Sequence, residues 1–160
     1  MAYNNFQREG SSDGFEEKII QVNRVSKKTK GGNKIGFSVL MVVGDKNGKV
    51  GVGLGKAPDV SSAIRRGALV ARKHLVEVPI VNTTIPFRID VKVGAAKIML
   101  KPAPKGSGVI AGGAVRNVVT AAGIENISSK VLGTNNQASN VYAVIEALRI
   151  LGERHKVNKK

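Results

Sequence analysis

No cysteine and no tryptophan occur in the chain. Without cysteine there are no disulfides, no thiolate zinc sites and no thiol catalysis. Two histidines, His74 and His155, are too few for most histidine metal centres. Aromatic residues make up 4% of the sequence: Tyr3, Phe6, Phe15, Phe37, Phe87 and Tyr142. A protein that stacks successive single-stranded bases on rings needs more of them, and needs them clustered. Acids number only 11 and are scattered, so no carboxylate pair stands out for acid–base or metal work. No apolar run reaches the roughly 18 residues of a membrane span. The opening MAYNNFQREGSS has no apolar core of the kind a secretory signal carries. The expectation is a soluble, intracellular protein without cofactor or metal.

What the sequence has in excess is positive charge. Lys and Arg number 26, giving a formal net charge of +15. A field of that size calls for a polyanionic partner, nucleic acid or an anionic membrane surface. Apolar residues at 42% suffice for a core, and 160 residues suit one ordinary domain or two small ones. Charge is shared evenly. Residues 1–77 hold 14 basic and 7 acidic groups, and residues 78–160 hold 12 and 4. From Lys18 to Gly44 there are six basic residues and no acid; from Val91 to Ile124 there are five and none. Stretches of this kind suit surfaces that face phosphates.

Residues 1–15 are polar and read as a mobile tail. A first unit spans 16–78. Ile19–Val25 alternates as a short strand, and Ser26–Lys34 (SKKTKGGNK) reads as a basic loop. Ile35, Phe37, Val39, Met41 and Val43 give the period-2 signal of a strand with one buried face. Asp45-Lys46-Asn47-Gly48 reads as a hairpin turn. Val50, Val52 and Leu54 alternate with Gly51, Gly53 and Gly55, a glycine face that invites close approach by a helix or by RNA backbone. Pro58 suits a helix's first turn and Asp59 its positive end. Val60, Ile64, Ala68, Ala71 and Leu75 form the inward stripe, with Arg65, Arg66, Arg72 and Lys73 off it.

Val78–Pro86 breaks the helical period, and a second unit spans 79–152. Phe87, Ile89, Val91 and Val93 alternate; Gly94-Ala95 turns the chain; Lys97–Lys101 returns antiparallel; Pro102–Gly108 is a loop. Ala114, Val115, Val118 and Val119 mark a short helix ending near Gly123, and Ile127–Leu132 a strand. Asn135 or Asn136 caps a last helix with stripe Val141, Val144, Ile145, Leu148 and Leu151. Residues 153–160 read as a basic tail.

Two glycine motifs resemble nucleotide sites and fail on spacing. A phosphate loop needs four residues between its glycines and Ser or Thr after the lysine; Gly51 and Gly55 are separated by three, and Ala57 follows Lys56. Gly106-Ser107-Gly108 fits a dinucleotide fingerprint, but Pro102 and Pro104 loosen the turn and Glu125 precedes its strand instead of ending it. The remaining readings of that segment are a structural turn and a helix start that meets an RNA phosphate. The sharper candidate is Ser26–Lys34, where Lys27, Lys28, Lys30 and Lys34 surround Gly31-Gly32. Lysine neutralises phosphate and glycine lets backbone N–H groups approach it. Arg116, one turn into its helix, should project to solvent, placed for a carboxylate or a phosphate.

The runs V22-N-R-V-S-K27, K30-G-G32, F37-S-V-L-M-V-V-G-D45 and G55-K-A57, with K101-P-A-P-K-G-S-G-V-I-A-G-G-A-V-R116 and L132-G-T-N-N136, resemble the bacterial small-subunit ribosomal protein number five family over roughly residues 16–151. Asn33, Lys105 and Gln137 depart from the family's usual basic residue, acid and proline. The resemblance implies an α+β fold of two small domains. The first is a double-stranded-RNA-binding-like three-stranded sheet with one helix. The second is a two-layer α/β unit with a left-handed crossover. It implies a structural, non-enzymatic constituent of the cytoplasmic small subunit that binds small-subunit rRNA and small-subunit proteins four and eight. It further implies a position near the path by which messenger RNA enters, and support of assembly and decoding accuracy. Taken with the charge pattern, the RNA-binding candidates are Arg24, Lys27, Lys28, Lys30, Gly31, Gly32, Lys34, Lys56, Arg65, Arg66 and Lys105; the protein-interface candidates are Gly112, Gly113 and Arg116. The alternatives from other classes are a free double-stranded-RNA-binding regulator and a nucleotide-dependent enzyme.

Overall fold

The alternation from Ile35 to Val43 does form a strand, and from Ser38 onward it is buried on both faces. In a computed structural model, which describes residues 7–8 and 14–158, the first unit is a five-stranded antiparallel sheet with one helix. Its elements are β1 (Gln7–Arg8), β2 (Glu16–Thr29), β3 (Gly32–Gly44), β4 (Lys49–Ala57), α1 (Val60–Lys73) and β5 (Leu75–Glu77). The sheet order is β1-β2-β3-β4-β5, so two short edge strands flank the three expected ones. Most of the expected N-terminal tail lies outside the described residues; Gln7 and Arg8 pair with Lys18 and Glu17. β2 bulges at Ile20, because Ile19 pairs with Met41 while Gln21 pairs with Leu40.

The glycines of β4 explain how α1 packs. A Cβ at Gly51, Gly53 or Gly55 would run into the carbonyls of Ala71, Gly67 and Ala63 respectively. Helix and strand therefore meet backbone to backbone, and the helix's buried face is Ala63, Gly67, Ala68 and Ala71. The expected stripe of larger residues is displaced accordingly. Val60 and Ile64 are half-buried, and Leu75 leaves the helix to pair with Gly51 in β5. Asp59 caps the helix, its Oδ2 accepting the Ser62 N–H at 3.1 Å. Pro58 precedes that cap instead of occupying the first turn.

The second unit comprises β6 (Ile89–Val93), β7 (Ala96–Pro102), β8 (Val109–Ile110), α2 (Gly113–Ala122), β9 (Ile127–Val131) and α3 (Gln137–Asn158). Its sheet runs β6-β7-β9-β8, antiparallel except for β8 and β9, which are parallel and joined through α2. The α+β architecture in two sheets is as expected. Asn136 is the cap of α3, accepting the Ala138 N–H at 3.1 Å. α3 continues to Asn158, so Arg154 and Lys156 are helical and not part of a tail.

One core joins the units. Met41 and Val43 pack beneath α1 with Ala68 and Ala71. On the other face of the same strand, Leu40 and Val42, with Val50 and Val52, enter a cluster with Val118, Val144, Leu148, Ile98 and Ile127. The second unit thus supplies the cover that a one-face reading of β3 omits. The layers run α1, first sheet, α2 with α3, second sheet.

The β3–β4 turn is the joint. Within it the Asp45 Oδ1 accepts the N–H groups of Asn47 and Lys49 at 2.8 and 2.9 Å. From its outer side Lys46 N–H and Gly48 N–H donate to the carbonyls of Ala121 and Ala122 at 3.1 and 2.9 Å. These carbonyls end α2 and have no partner inside the helix. Gly48 in turn accepts the Val78 N–H at 2.7 Å. Gly123 ends α2 at φ 89°, and a Cβ there would strike the Lys46 carbonyl.

Gly123→Ala should therefore cost more than a left-handed alanine alone. Gly94 has φ 57° with nothing within 4 Å of its Cβ direction, which isolates the conformational cost. Urea unfolding should give about 1 kcal/mol for Gly94→Ala and roughly 2–3 kcal/mol for Gly123→Ala. Equal losses would mean the turn does not press on α2.

Candidate nucleic-acid interface

The lysine segment is a strand pair with a short tip instead of a loop. Ser26–Thr29 ends β2, Gly32–Lys34 opens β3, and only Lys30-Gly31 makes the turn. The Thr29 hydroxyl donates to the Gly32 carbonyl at 2.9 Å and closes that turn. β4 stops at Ala57, opposite Phe37, so nothing pairs β3 beyond that point on its β4 side. β2 and β3 continue together as a two-stranded ribbon whose residues 23–35 are all exposed. It reaches about 20 Å past the sheet at ~3.3 Å per residue.

Register sorts the cations by face. Lys27 lies directly opposite Lys34, and Lys28 opposite Asn33. Alternation sets Arg24 and Lys28 on the face opposite Lys27 and Lys34. Facing side chains of a strand pair sit about 5 Å apart, and like charges there repel.

At the base of the ribbon an open cleft of about 460 Å³ is lined by Val25, Lys27, Lys34, Ile35, Phe37, Lys56, Pro58 and Arg66, among others, and no acid lines it. Arg66 donates from Nη1 to the Lys56 carbonyl at 3.0 Å, which ties its guanidinium to the rim. Four sequence candidates, Lys27, Lys34, Lys56 and Arg66, thus converge. Arg65 does not join them; it lines a separate depression with Glu17, Leu69 and Arg72.

Acids are engaged away from the ribbon. Glu16 pairs with Lys46 at 2.8 Å and Glu17 with Arg72 at 3.2 Å. Asp45 and Asp59 cap a turn and a helix. In the second unit Asp90 pairs with Arg88 at 3.0 Å, and Arg149 binds Glu146 at 2.6 Å. Hydrogen bonding from Arg149 holds the Glu146 carboxyl below the usual carboxylate range. The electrostatic result is a ribbon with cations and no local counter-charge.

Lys105 and Arg116 lie in the second unit. Lys105 is exposed in the β7–β8 loop. The N–H groups of Gly106 and Gly108 both donate to the Asn126 Oδ1 at 3.0 Å, so they are not offered to a phosphate. Asn126 is itself buried and donates to the Thr83 hydroxyl at 2.7 Å. No pattern in the sequence marks this residue, because a single Asn beside Glu125 and ahead of Ser128 and Ser129 reads as one more polar loop residue. Gly112 caps α2 without a side chain, and Gly113 opens it. Arg116 is exposed as expected, but its Nη2 donates to the Val109 carbonyl at 3.0 Å, which ties α2 to β8. Lys92, Lys97 and Lys101 belong to the acid-free stretch from Val91 to Ile124, and the alternation of Lys97 and Lys101 with Ile98 and Leu100 signals one outward face; Lys130 lies beyond that stretch. Among the described residues no helix is long and apolar enough to cross a membrane.

Lys34→Glu should stabilise the isolated chain by about 0.5 kcal/mol at low salt, since it replaces a facing like-charge pair by an opposite one. The gain should shrink in high salt. A loss of stability in urea titrations would mean the two side chains do not face each other.

Comparison with known proteins agrees with this architecture. A family model described as ribosomal protein S5, N-terminal domain, matches residues 15–79, and one described as ribosomal protein S5, C-terminal domain, matches residues 91–160. The small ribosomal subunit protein uS5 of Thermotoga neapolitana is 48% identical over 152 residues, covering 95% of this chain and 85% of that protein. Its counterpart in Chloroflexus aurantiacus is 49% identical over 143 residues, covering 89% and 80%. That of Thermotoga maritima is 49% identical over 145 residues, covering 91% and 82%. With both domains matched in order and relatives of this identity along nearly its full length, the chain belongs to the ribosomal protein S5 family, a family of structural, non-enzymatic proteins.

Proposed function

We propose that the chain is a structural constituent of the small ribosomal subunit, cytoplasmic within that particle, and that it binds small-subunit rRNA through the β2–β3 ribbon. The observation that carries the reading is the ribbon itself: exposed on every residue from 23 to 35, lysine-rich and without an acid. Residues 16–78 carry the ribbon and the cleft at its base, and residues 79–152 carry Lys105 and the surface that meets neighbouring proteins. Arg24, Lys27, Lys28, Lys30, Lys34, Lys56, Arg65, Arg66 and Lys105 neutralise phosphates and release condensed counterions. Gly31 and Gly32 let the tip approach the backbone closely; a Cβ at either position would meet nothing within 4 Å, so the space they leave is on the outside. Recognition of this kind reads RNA shape and backbone, not sequence.

The partners in finer detail are small-subunit proteins four and eight, with messenger RNA near the path by which it enters. The surface for a neighbouring protein is centred on Gly112, Gly113 and Arg116. Two observations favour it: Gly112 and Gly113 are exposed at the helix start, and the Arg116 guanidinium is held by the Val109 carbonyl. Through these contacts the protein supports assembly and decoding accuracy. No observation favours a free double-stranded-RNA-binding regulator, and co-migration with small subunits in a sucrose gradient separates the two.

Replacing Lys27, Lys28 and Lys30 by Ala should lower rRNA affinity and reduce the slope of log K against log salt by about 0.9 unit per lost duplex phosphate contact. An unchanged slope removes the ribbon from the interface. Arg116→Leu should lower the unfolding free energy by about 1 kcal/mol, the worth of its hydrogen bond to the Val109 carbonyl, and leave the chain folded. It should nonetheless loosen binding to the neighbouring protein and raise misreading; unfolding of the variant would make Arg116 a support of the fold instead.

A further inference from the structure

The second sheet has a face that none of the described residues covers. α2 and α3 pack against one side, onto Ile89, Ala96, Ile98, Leu100 and Ile127. Burial along β7 alternates without a break, with Ala96, Ile98 and Leu100 inside and Lys97 and Lys101 exposed. Register carries the pattern across the strands: Lys92 faces Lys97, Met99 faces Lys130, and Lys101 faces Ser128. Lys92, Lys97, Lys101 and Lys130 are therefore on one open face, all exposed. The single acid on that face, Asp90, is occupied by Arg88 at 3.0 Å.

We infer that this open face is a second RNA-backbone surface, separate from the ribbon, so that the protein holds two RNA segments on different outer layers. The inference rests on the chain being an RNA-binding ribosomal protein, as proposed above. Three features favour a phosphate backbone over an acidic protein. Interfaces between proteins are depleted of charge at their centre and enriched in aromatic and apolar residues there. Here the centre is lysine, with half-buried Met99 and no aromatic ring. The two large apolar side chains exposed beside it, Ile110 at 59% and Leu132 at 54%, do not form one patch. Ile110 pairs with Ser128, four residues along β9's line from Leu132, which sets them ~13 Å apart with Lys130 between. Lys92 opposite Lys97 is a facing like-charge pair, the arrangement found at Lys27 and Lys34, and a bound anion relieves it. Finally, Lys97 and Lys101 stand four residues apart on one strand, also ~13 Å, a span that accommodates about two successive phosphates of a single strand.

The test uses the full chain and a transcript of small-subunit rRNA between 50 and 200 mM KCl. The quadruple variant Lys92→Thr, Lys97→Thr, Lys101→Thr, Lys130→Thr should reduce the salt slope by about 3 units, at 0.7–0.9 per contact. Combined with the ribbon variant the two reductions should add. In parallel, acetylation of the unmutated chain by a lysine-reactive ester should slow at these four lysines when the transcript is bound, a readout independent of whether the variant folds. A wild-type slope in the folded variant, or equal acetylation with and without RNA, overturns the inference. So does a variant that keeps its slope yet fails to enter particles, which would assign the face to a protein. A ribbon variant with unchanged slope would remove the reading of the ribbon and leave this one standing.

Discussion

Two backbone hydrogen bonds organise the molecule. The N–H groups of Lys46 and Gly48 terminate α2 by binding the Ala121 and Ala122 carbonyls. A helix leaves its last carbonyls without internal partners, and burying them unsatisfied costs about 1–3 kcal/mol each. Here the other unit supplies the donors, so neither unit completes its own hydrogen bonding. The apolar contacts follow the same logic. Leu40 and Val42 would be exposed on a free first sheet, and they are buried only because α2 and α3 lie over them. Although the chain reads as two domains, the physical unit is one body with a shared core.

That joint also sets the position of the ribbon. β3 starts at Gly32, at the exposed tip, and ends at Gly44, against α2. One strand of 13 residues therefore runs from the solvent-facing lysines into the shared core. Its inner half, Ser38 to Gly44, is buried throughout. The tip is held as a beam is held, by its embedded end. Glycine on β4 and the alanine face of α1 contribute by letting helix and sheet meet at backbone distance. Close backbone approach leaves little room for the helix to rock, and the cleft between Arg66 and the ribbon keeps its shape.

The strands and helices were legible because their periods are local. Alternation over Ile35–Val43 and the stripe of α3 need no knowledge of the rest of the chain. Errors arose where the cause is distant in sequence. Ser26–Lys34 was expected as a loop because lysine and glycine are poor strand formers, yet pairing with the far side of the hairpin extends the strand to Thr29. On α1 the expected Ala68 and Ala71 are buried, but Ala63 and Gly67 complete that face in place of Val60 and Leu75, because glycine opposite selects small residues. Among site residues, Lys27, Lys34, Lys56 and Arg66 were all identifiable from charge, but only register shows that they share a cleft. Arg65, from the same basic helix, points elsewhere. The role of Asn126 in holding the β7–β8 loop was not legible, since its partners are 18, 20 and 43 residues away.

Local rules of sheet design identify where this fold departs from its own stability. Like charges placed directly across a strand pair are unfavourable by a few tenths to about 1 kcal/mol, and the chain has this arrangement at Lys27–Lys34 and again at Lys92–Lys97. Elsewhere the same chain places opposite charges together, at Glu16–Lys46, Glu17–Arg72 and Glu146–Arg149. Acids do occur on the strands, Glu16 and Glu17 on β2, Glu77 on β5 and Asp90 on β6, but none stands directly across from these lysines. Local conflicts of this kind are expected at functional sites, and both conflicts here carry the same sign of charge, which is what the two proposed RNA surfaces require. If both surfaces bind RNA as proposed, the counter-charge comes from outside the chain, and a phosphate backbone supplies it at a density that side chains cannot match. Repulsion in the free protein then becomes part of the attraction in the complex, because phosphates bound at two facing lysines relieve the repulsion between them.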